Sequence, residues 1–178
     1  MSSHYEFAPR FVEAYRHAQE AYRRAPASAL AEITARSGPW LAANGVSVQA
    51  LYDYVDDDER YGEPGEARAL MIESVRRDYF LNVQDGRPSS TLLDPETLPA
   101  KDATVDGIAW LPRLAAKAYA KLRGELPASL MYACGGDRAF LERYDLDPAE
   151  FLTALWRCGG DPTPIAAWIR KRANATRS

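Results

Sequence analysis

Apolar residues recur every three or four positions over most of this chain, and that spacing predicts helices. From Phe7 to Ala25, the residues Phe11, Ala14, Tyr15, Ala18 and Tyr22 fall on one face, with Glu13, Arg16, Glu20 and Arg23 on the other. Pro26 ends this helix. Ser28 caps a second one, from Ala29 to about Arg36. Ser37-Gly38-Pro39 predicts a break, and Trp40 to Ala43 adds one turn before the Asn44-Gly45 turn signal. Ser47 suits the N-cap of a third helix through Leu51, Tyr52 and Val55. Tyr61 to Gly65 interrupts the pattern. A fourth helix then runs from Glu66 to about Leu81, with Ala69, Leu70, Ile72, Val75, Tyr79 and Phe80 as its expected core.

Between Gln84 and Val105 the period is lost and Gly86, Pro88, Ser89, Ser90, Pro95 and Pro99 cluster. A connection this long marks a linker or a functional loop, and Leu92, Leu93 and Leu98 predict that it packs on something. Helical spacing then resumes. Pro112 fits the first turn of a helix that runs to Leu122 and stops at Gly124. Asp137 and Asp147 are each expected to cap a further helix. Cys-Gly-Gly-Asp occurs twice, at 134–137 and 158–161. Its plain reading is punctuation, in which glycine ends one helix and aspartate caps the next. The expected fold is all-α. Two packed helical segments, 1–84 and 106–178, are joined by a long Pro/Ser-containing connection at 85–105.

Composition narrows the function classes. A chain of 178 residues can build one good core or two small ones, and 47% apolar with 26% charged residues is ordinary for a globular protein. A net charge of -3 argues against a broad nucleic-acid face. There are two His, His4 and His17, and two Cys, Cys134 and Cys158. Neither pair has metal-ligand spacing, so no metal site is expected. Residues 1–10 lack a signal-peptide core, and no apolar run approaches the roughly 20 residues of a membrane span. The expectation is a cytoplasmic protein with free thiols, bound to no membrane.

Three places are candidates for chemistry. On the helix after Pro112, Leu111, Leu114, Ala115, Ala118 and Leu122 form an apolar face, while Arg113, Lys117 and Lys121 recur every four residues. This is either a solvated basic face or an anion site, with Arg113 forked onto a carboxylate or phosphate and Lys117 beside it. The acidic run at Asp56 to Glu59 falls where a helix end disfavours carboxylates. Either the helix ends first, or the acids pair with Arg76 and Arg77, or Asp53 and Asp57 hold a hard cation; ion pairing across helices is the favoured account. Third, Arg76-Arg77-Asp78-Tyr79 lies on a helix with an apolar stripe. At least one arginine must therefore point inward to a partner such as Asp53, Asp57 or Glu63. Cys134 as a nucleophile lacks a histidine in its half of the chain. Trp110, Trp156, Trp168, Tyr119 and Tyr132 are read as core, and the basic tail Arg170 to Arg177 as a frayed end.

Gly107-Ile108-Ala109-Trp110-Leu111-Pro112-Arg113, with Lys117-Ala118, Lys121-Leu122, Gly124, Tyr132, Asp137, Phe140-Leu141, Asp145-Leu146-Asp147, Glu150-Phe151 and Trp168, forms a pattern. It resembles the bacterial domain of unknown function 5069, over about Leu92 to Arg172. Asp53-Tyr54-Val55, Arg60 to Pro64 and Arg76 to Leu81 resemble a region found ahead of that domain in some relatives. The resemblance implies a small helical domain and no particular activity. No catalytic residue or cofactor follows from it.

The charges suggest a site for a small anionic ligand or metabolite in a groove between the two halves. Arg113 and Lys117 would anchor the anion, Arg76, Asp78, Tyr79 and Glu63 would shape the other wall, and Trp110 and Tyr132 would flank it. The alternatives are a protein interaction module without a ligand pocket and a metal-assisted enzyme using Asp53 and Asp57.

Overall fold

Each predicted amphipathic segment is a helix in the computed structural model, which describes residues 4–175. Among these residues lie eight α-helices: α1 (His4–Arg24), α2 (Pro26–Ala43), α3 (Val48–Tyr61), α4 (Gly65–Asn82), α5 (Leu111–Arg123), α6 (Gly135–Arg143), α7 (Pro148–Arg157) and α8 (Pro162–Ala175). A small hairpin, β1 (Thr104–Val105) with β2 (Ile108–Ala109), precedes α5. The chain divides into two compact units, Met1–Ser89 and Ser90–Ser178.

In the N-terminal unit α1 packs on α2, α3 and α4. Its buried face is Phe7, Phe11, Ala14, Tyr15, Ala18, Ala21 and Tyr22, the predicted stripe extended by Phe7 and Ala21. Pro9 lies inside this helix, where it removes a single backbone donor. The break predicted at Ser37-Gly38-Pro39 is absent, and α2 runs through it. Ala29, Ile33, Ser37 and Leu41 are buried at four-residue spacing along its whole length. That continuous buried stripe outweighs the one hydrogen bond lost at Pro39, which faces solvent. Ser28 is not the cap; α2 starts on Pro26 behind Ala25.

Ser47 caps α3 as expected, its Oγ accepting from the Ala50 N–H at 3.1 Å. Gly62, left-handed at φ 76°, ends the helix. The helix does not stop before the acidic run. Instead α1 supplies the compensation. Tyr15 donates to Asp58 at 3.0 Å, Gln19 donates to Asp58 at 2.9 Å, Tyr22 donates to Asp56 at 2.5 Å, and Arg23 pairs with Glu59 at 2.7 Å. Arg60 adds an ion pair to Asp56 at 3.1 Å. For these three acids the pairing across helices is real, but its partners are on α1, with Arg60 of α3 itself joining Asp56, and not Arg76 and Arg77. Burial, and then the bond to Asp58, push the Tyr15 phenol far up.

Both Arg76 and Arg77 are buried in α4, and Glu73 is buried with them, while Leu70 and Val75 are only half-buried. Arg77 donates Nε to Asn44 at 2.8 Å and lies 4.9 Å over the Phe7 ring. Arg76 donates to Gln84 at 2.9 Å and sits 5.3 Å from the Phe80 centroid. Glu73 accepts from Tyr54 at 2.9 Å. The planar guanidinium is weakly hydrated, so aromatic faces and amide oxygens help to satisfy it inside the protein.

In the C-terminal unit α5 packs against α7 and α8. The segment 90–105 is ordered onto it. The Leu93 N–H donates to the Glu125 carbonyl at 2.8 Å, Asp94 caps the short 3-10 turn Pro95–Thr97, and Leu98 is buried while Leu92 is exposed. The hairpin is a departure from the purely helical expectation. Its turn is Asp106-Gly107, at φ 52° and 76°, the two left-handed residues that a two-residue hairpin needs.

Asp147 caps α7, accepting from the Ala149 N–H at 2.8 Å. The second Cys-Gly-Gly-Asp is punctuation, as read. Cys158 ends α7, Gly159 and Gly160 are left-handed, and Asp161 accepts from the Thr163 N–H at 2.9 Å at the start of α8. That bond holds the Asp161 carboxyl below its ordinary range. The first copy is different, and the expected Asp137 cap is wrong. Cys134 is the N-cap, Gly135 and Gly136 are the first helical residues, and Asp137 is the third residue of α6. No helix precedes this copy, so its glycines have no helix to end.

The tail is not frayed where it is described. Ile165, Ala166 and Ile169 bury one face of α8, Arg172 pairs with Glu150 at 2.6 Å, and Arg170 bonds to the Asp106 carbonyl. Residues 176–178, which include Arg177, lie outside the described residues.

The paired glycines before α8 differ in a testable way. Gly159 has open space where a Cβ would be, whereas at Gly160 a Cβ would lie 2.9 Å from the Tyr119 ring. Gly159→Ala should cost about 1 kcal/mol from its backbone alone. Gly160→Ala should cost about 2 kcal/mol or more, because overpacking adds to the strain. Urea midpoints of the two variants check this order.

Candidate functional site

Three segments of the C-terminal unit meet at Asp137. Its carboxylate is fully buried, at 0% exposure. Lys117 Nζ lies 2.5 Å from Oδ2, the Ala133 N–H donates to the same oxygen at 3.0 Å, and Trp110 Nε1 donates to Oδ1 at 3.1 Å. Lys117 is itself only 4% exposed, and its ammonium also donates to Cys134 Sγ at 3.3 Å. Cys134 as a residue is half-buried.

Local sequence explains how these groups arrive. Arg113, Lys117 and Lys121 are spaced by four residues, so they share one side of α5. Trp110 is the left-handed residue at its N-terminus, and it and Lys117 both reach Asp137. The Trp110 ring lies against Gly136, where a Cβ would come 2.8 Å from its edge. Two non-glycine residues, Trp110 and Ala133, are held left-handed, at φ 70° and 62°. Each such residue costs on the order of 1–2 kcal/mol. Both donate to Asp137, whose hydrogen bonds hold them in place.

The solvated-face reading of α5 fails for two of its cations, because Lys117 and Lys121 are both buried. Arg113 is half-buried and donates Nη1 to the Pro99 carbonyl at 2.9 Å. Asp137 is engaged by three other donors. Among the described residues Arg113 has no carboxylate partner. Tyr132 is core: it is 1% exposed and donates to the Pro148 carbonyl at 2.8 Å. Burial, and then the charges of Asp137 and Asp147, push its phenol well up.

Of the expected site residues, the structure thus brings Trp110 and Lys117 together on Asp137, and places Arg113 on the same side of α5. Tyr132 is two positions before Cys134 and feels the Asp137 charge. In the N-terminal unit Arg76 and Tyr79 are buried on α4, Asp78 is exposed, and Glu63 lies 3.9 Å from Arg68. Asp53 accepts from Gln49 at 2.7 Å. Among the described residues no group of three or more His, Cys, Asp or Glu side chains is placed to hold a metal ion.

Two features escaped the sequence reading: Asp137 as a buried counter-ion, and Cys134 against Lys117. The available signal was angular. On α5 Lys117 and Lys121 lie one turn apart at the edge of the apolar face formed by Leu111, Leu114, Ala118 and Leu122.

Removing the Asp137 charge strands Lys117 inside the protein. Asp137→Asn should cost about 3–5 kcal/mol. Adding Lys117→Met to it should restore part of that loss, because the uncompensated cation is then gone. Denaturant unfolding of both variants reads the difference. Tyr132 gives a second test. Its folded pKa lies above the unfolded value of about 10, so its contribution to stability is intact below that pH and is lost as pH rises beyond it. Stability should therefore fall above about pH 10, less steeply in Tyr132→Phe, as followed by phenolate absorbance and unfolding in parallel.

No curated protein and no solved structure matches this chain. Its C-terminal part, residues 96–178, matches the model of the family described as Domain of unknown function (DUF5069).

Proposed function

We propose that the C-terminal unit binds a small anionic ligand at Arg113. The observation that carries this reading is the uncompensated guanidinium. Among the described residues Arg113, which is half-buried, bonds to the Pro99 carbonyl and to no carboxylate, while Asp137 is engaged by Lys117, Trp110 and the Ala133 amide. A partly desolvated cation without a carboxylate partner attracts an anion from solution. Its fork of N–H donors matches a carboxylate or a phosphate.

Two further features support the same ligand class. The N-cap of α5 is Trp110, which gives no side-chain cap, so the positive end of the helix dipole is left open beside Arg113. Lys117 adds field, but its charge is matched by Asp137. It is a structural neighbour of the anion, and Arg113 is the anchor. The Trp110 ring, fixed by Asp137 and Gly136, forms a rigid apolar edge to the same turn.

The test is thermal unfolding in inorganic phosphate and in succinate, against chloride at equal ionic strength. A ligand present at a hundred times its Kd stabilises the folded state by about 2.7 kcal/mol, and the melting temperature rises accordingly. Arg113→Gln should abolish the rise, while Arg143→Gln, at an exposed position of α6, should keep it. If neither anion shifts the melting temperature, or Arg113→Gln responds like the parent protein, the reading is wrong.

A further inference from the structure

The contact between Lys117 and Cys134 has no role in anion binding at Arg113, and its chemistry is of another kind. Nζ and Sγ are 3.3 Å apart. The lysine is held by its surroundings: it is buried, and Asp137 fixes its ammonium at 2.5 Å. The cysteine is half-buried and not fully enclosed. Cys134 is also the N-cap of α6 without forming a side-chain cap bond, so no cap bond is lost if the sulfur changes partner. A nucleophilic nitrogen, an oxidisable sulfur and a proton acceptor lie in one line of contacts.

We propose that Cys134 and Lys117 form a reversible covalent link on oxidation by a peroxide, a sulfenamide between Sγ and Nζ. In the first step the sulfur attacks one oxygen of hydrogen peroxide. An S–O bond forms, the O–O bond breaks, and the departing hydroxide takes the thiol proton and leaves as water. The sulfur is oxidised by two electrons and the peroxide is reduced. In the second step the Lys117 ammonium passes one proton to Asp137 Oδ2, and the freed amine lone pair attacks the sulfenic sulfur. The S–N bond forms and the S–O bond breaks, and the leaving hydroxide takes a second proton from the nitrogen. One thiol, one ammonium, one carboxylate and one peroxide give one sulfenamide, one carboxylic acid and two waters. The buried ion pair becomes a neutral acid beside a neutral link, so no charge is left stranded. A sulfenic acid captured by nitrogen is spared the irreversible step to sulfinic acid. Lys117 thereby makes the oxidation of Cys134 reversible, and the link fastens α5 to the start of α6.

The experiment uses the full chain carrying Cys158→Ser, which removes a disulfide as a competing product. The protein is treated with stoichiometric hydrogen peroxide, its free thiols are alkylated, and intact mass and peptide maps are taken before and after dithiothreitol. The expected product is lighter by two hydrogen atoms. Cys134 is protected from alkylation, the peptides containing residues 117 and 134 are joined, and dithiothreitol reverses all three changes. Lys117→Arg keeps a cation for Asp137, but should give no joined peptide and a Cys134 that dimedone traps as sulfenic acid. The proposal is overturned if Cys134 stays alkylatable under peroxide that oxidises glutathione, if it proceeds to sulfinic acid without a link, or if the joined peptide contains a different lysine. Should Lys117→Arg fail to fold, the peptide map of the Cys158→Ser protein decides by itself.

Discussion

A carboxylate with no exposed surface must be met by donors on every side, and in the C-terminal unit that demand falls on Asp137. Lys117 from α5, Trp110 from the turn before it and the Ala133 amide from the loop before α6 all answer it. The local oddities of the unit follow. Trp110 and Ala133 take backbone angles that L-residues avoid, and position 136 has no side chain because an indole ring occupies the space. The α6 helix starts on a cysteine without a side-chain cap because the aspartate that would have capped it is engaged three residues further on. Such a pair adds little to net stability over an apolar replacement, but breaking it on one side is costly. Its effect is to fix one arrangement of three chain segments.

The N-terminal unit deals with charge by a different route. Asp56, Asp58 and Glu59 lie in the last turns of α3, where the helix's own carbonyls repel them. Two tyrosines, a glutamine and an arginine from α1 relieve that repulsion. The acidic run thereby becomes the seam between two helices, and burial, with the bond to Asp58, pushes the Tyr15 phenol far up. The buried arginines of α4 rely on amide oxygens and ring faces in the contacts described above.

The residues that carry the family resemblance and the residues that meet at Asp137 overlap. Trp110, Lys117, Tyr132 and Asp137 belong to both sets. The arrangement also separates two cations that look alike in the sequence. Lys117 is matched and enclosed, whereas Arg113, one turn earlier, has among the described residues a carbonyl and no carboxylate as its partner. The two cations therefore stand in different surroundings, although only four residues divide them.

The helices were legible from spacing, because burial of one face repeats with the helical turn. So were the caps at Ser47 and Asp147 and the stops at Gly62 and Gly124, since each depends on residues within one turn of itself. The Asp106-Gly107 hairpin was also written locally, in a turn signal that the surrounding helical pattern obscured. Other features had no local cause. Whether α2 broke at Ser37-Gly38-Pro39 depended on a buried stripe continuing beyond the proline. Cys-Gly-Gly-Asp took two structures because one copy follows a helix and the other follows a loop. Lys117 found its counter-ion twenty residues away. Dihedral preference acts between neighbours in the chain and can be read from them. Desolvation and charge pairing act between neighbours in space, and only the folded chain decides which those are.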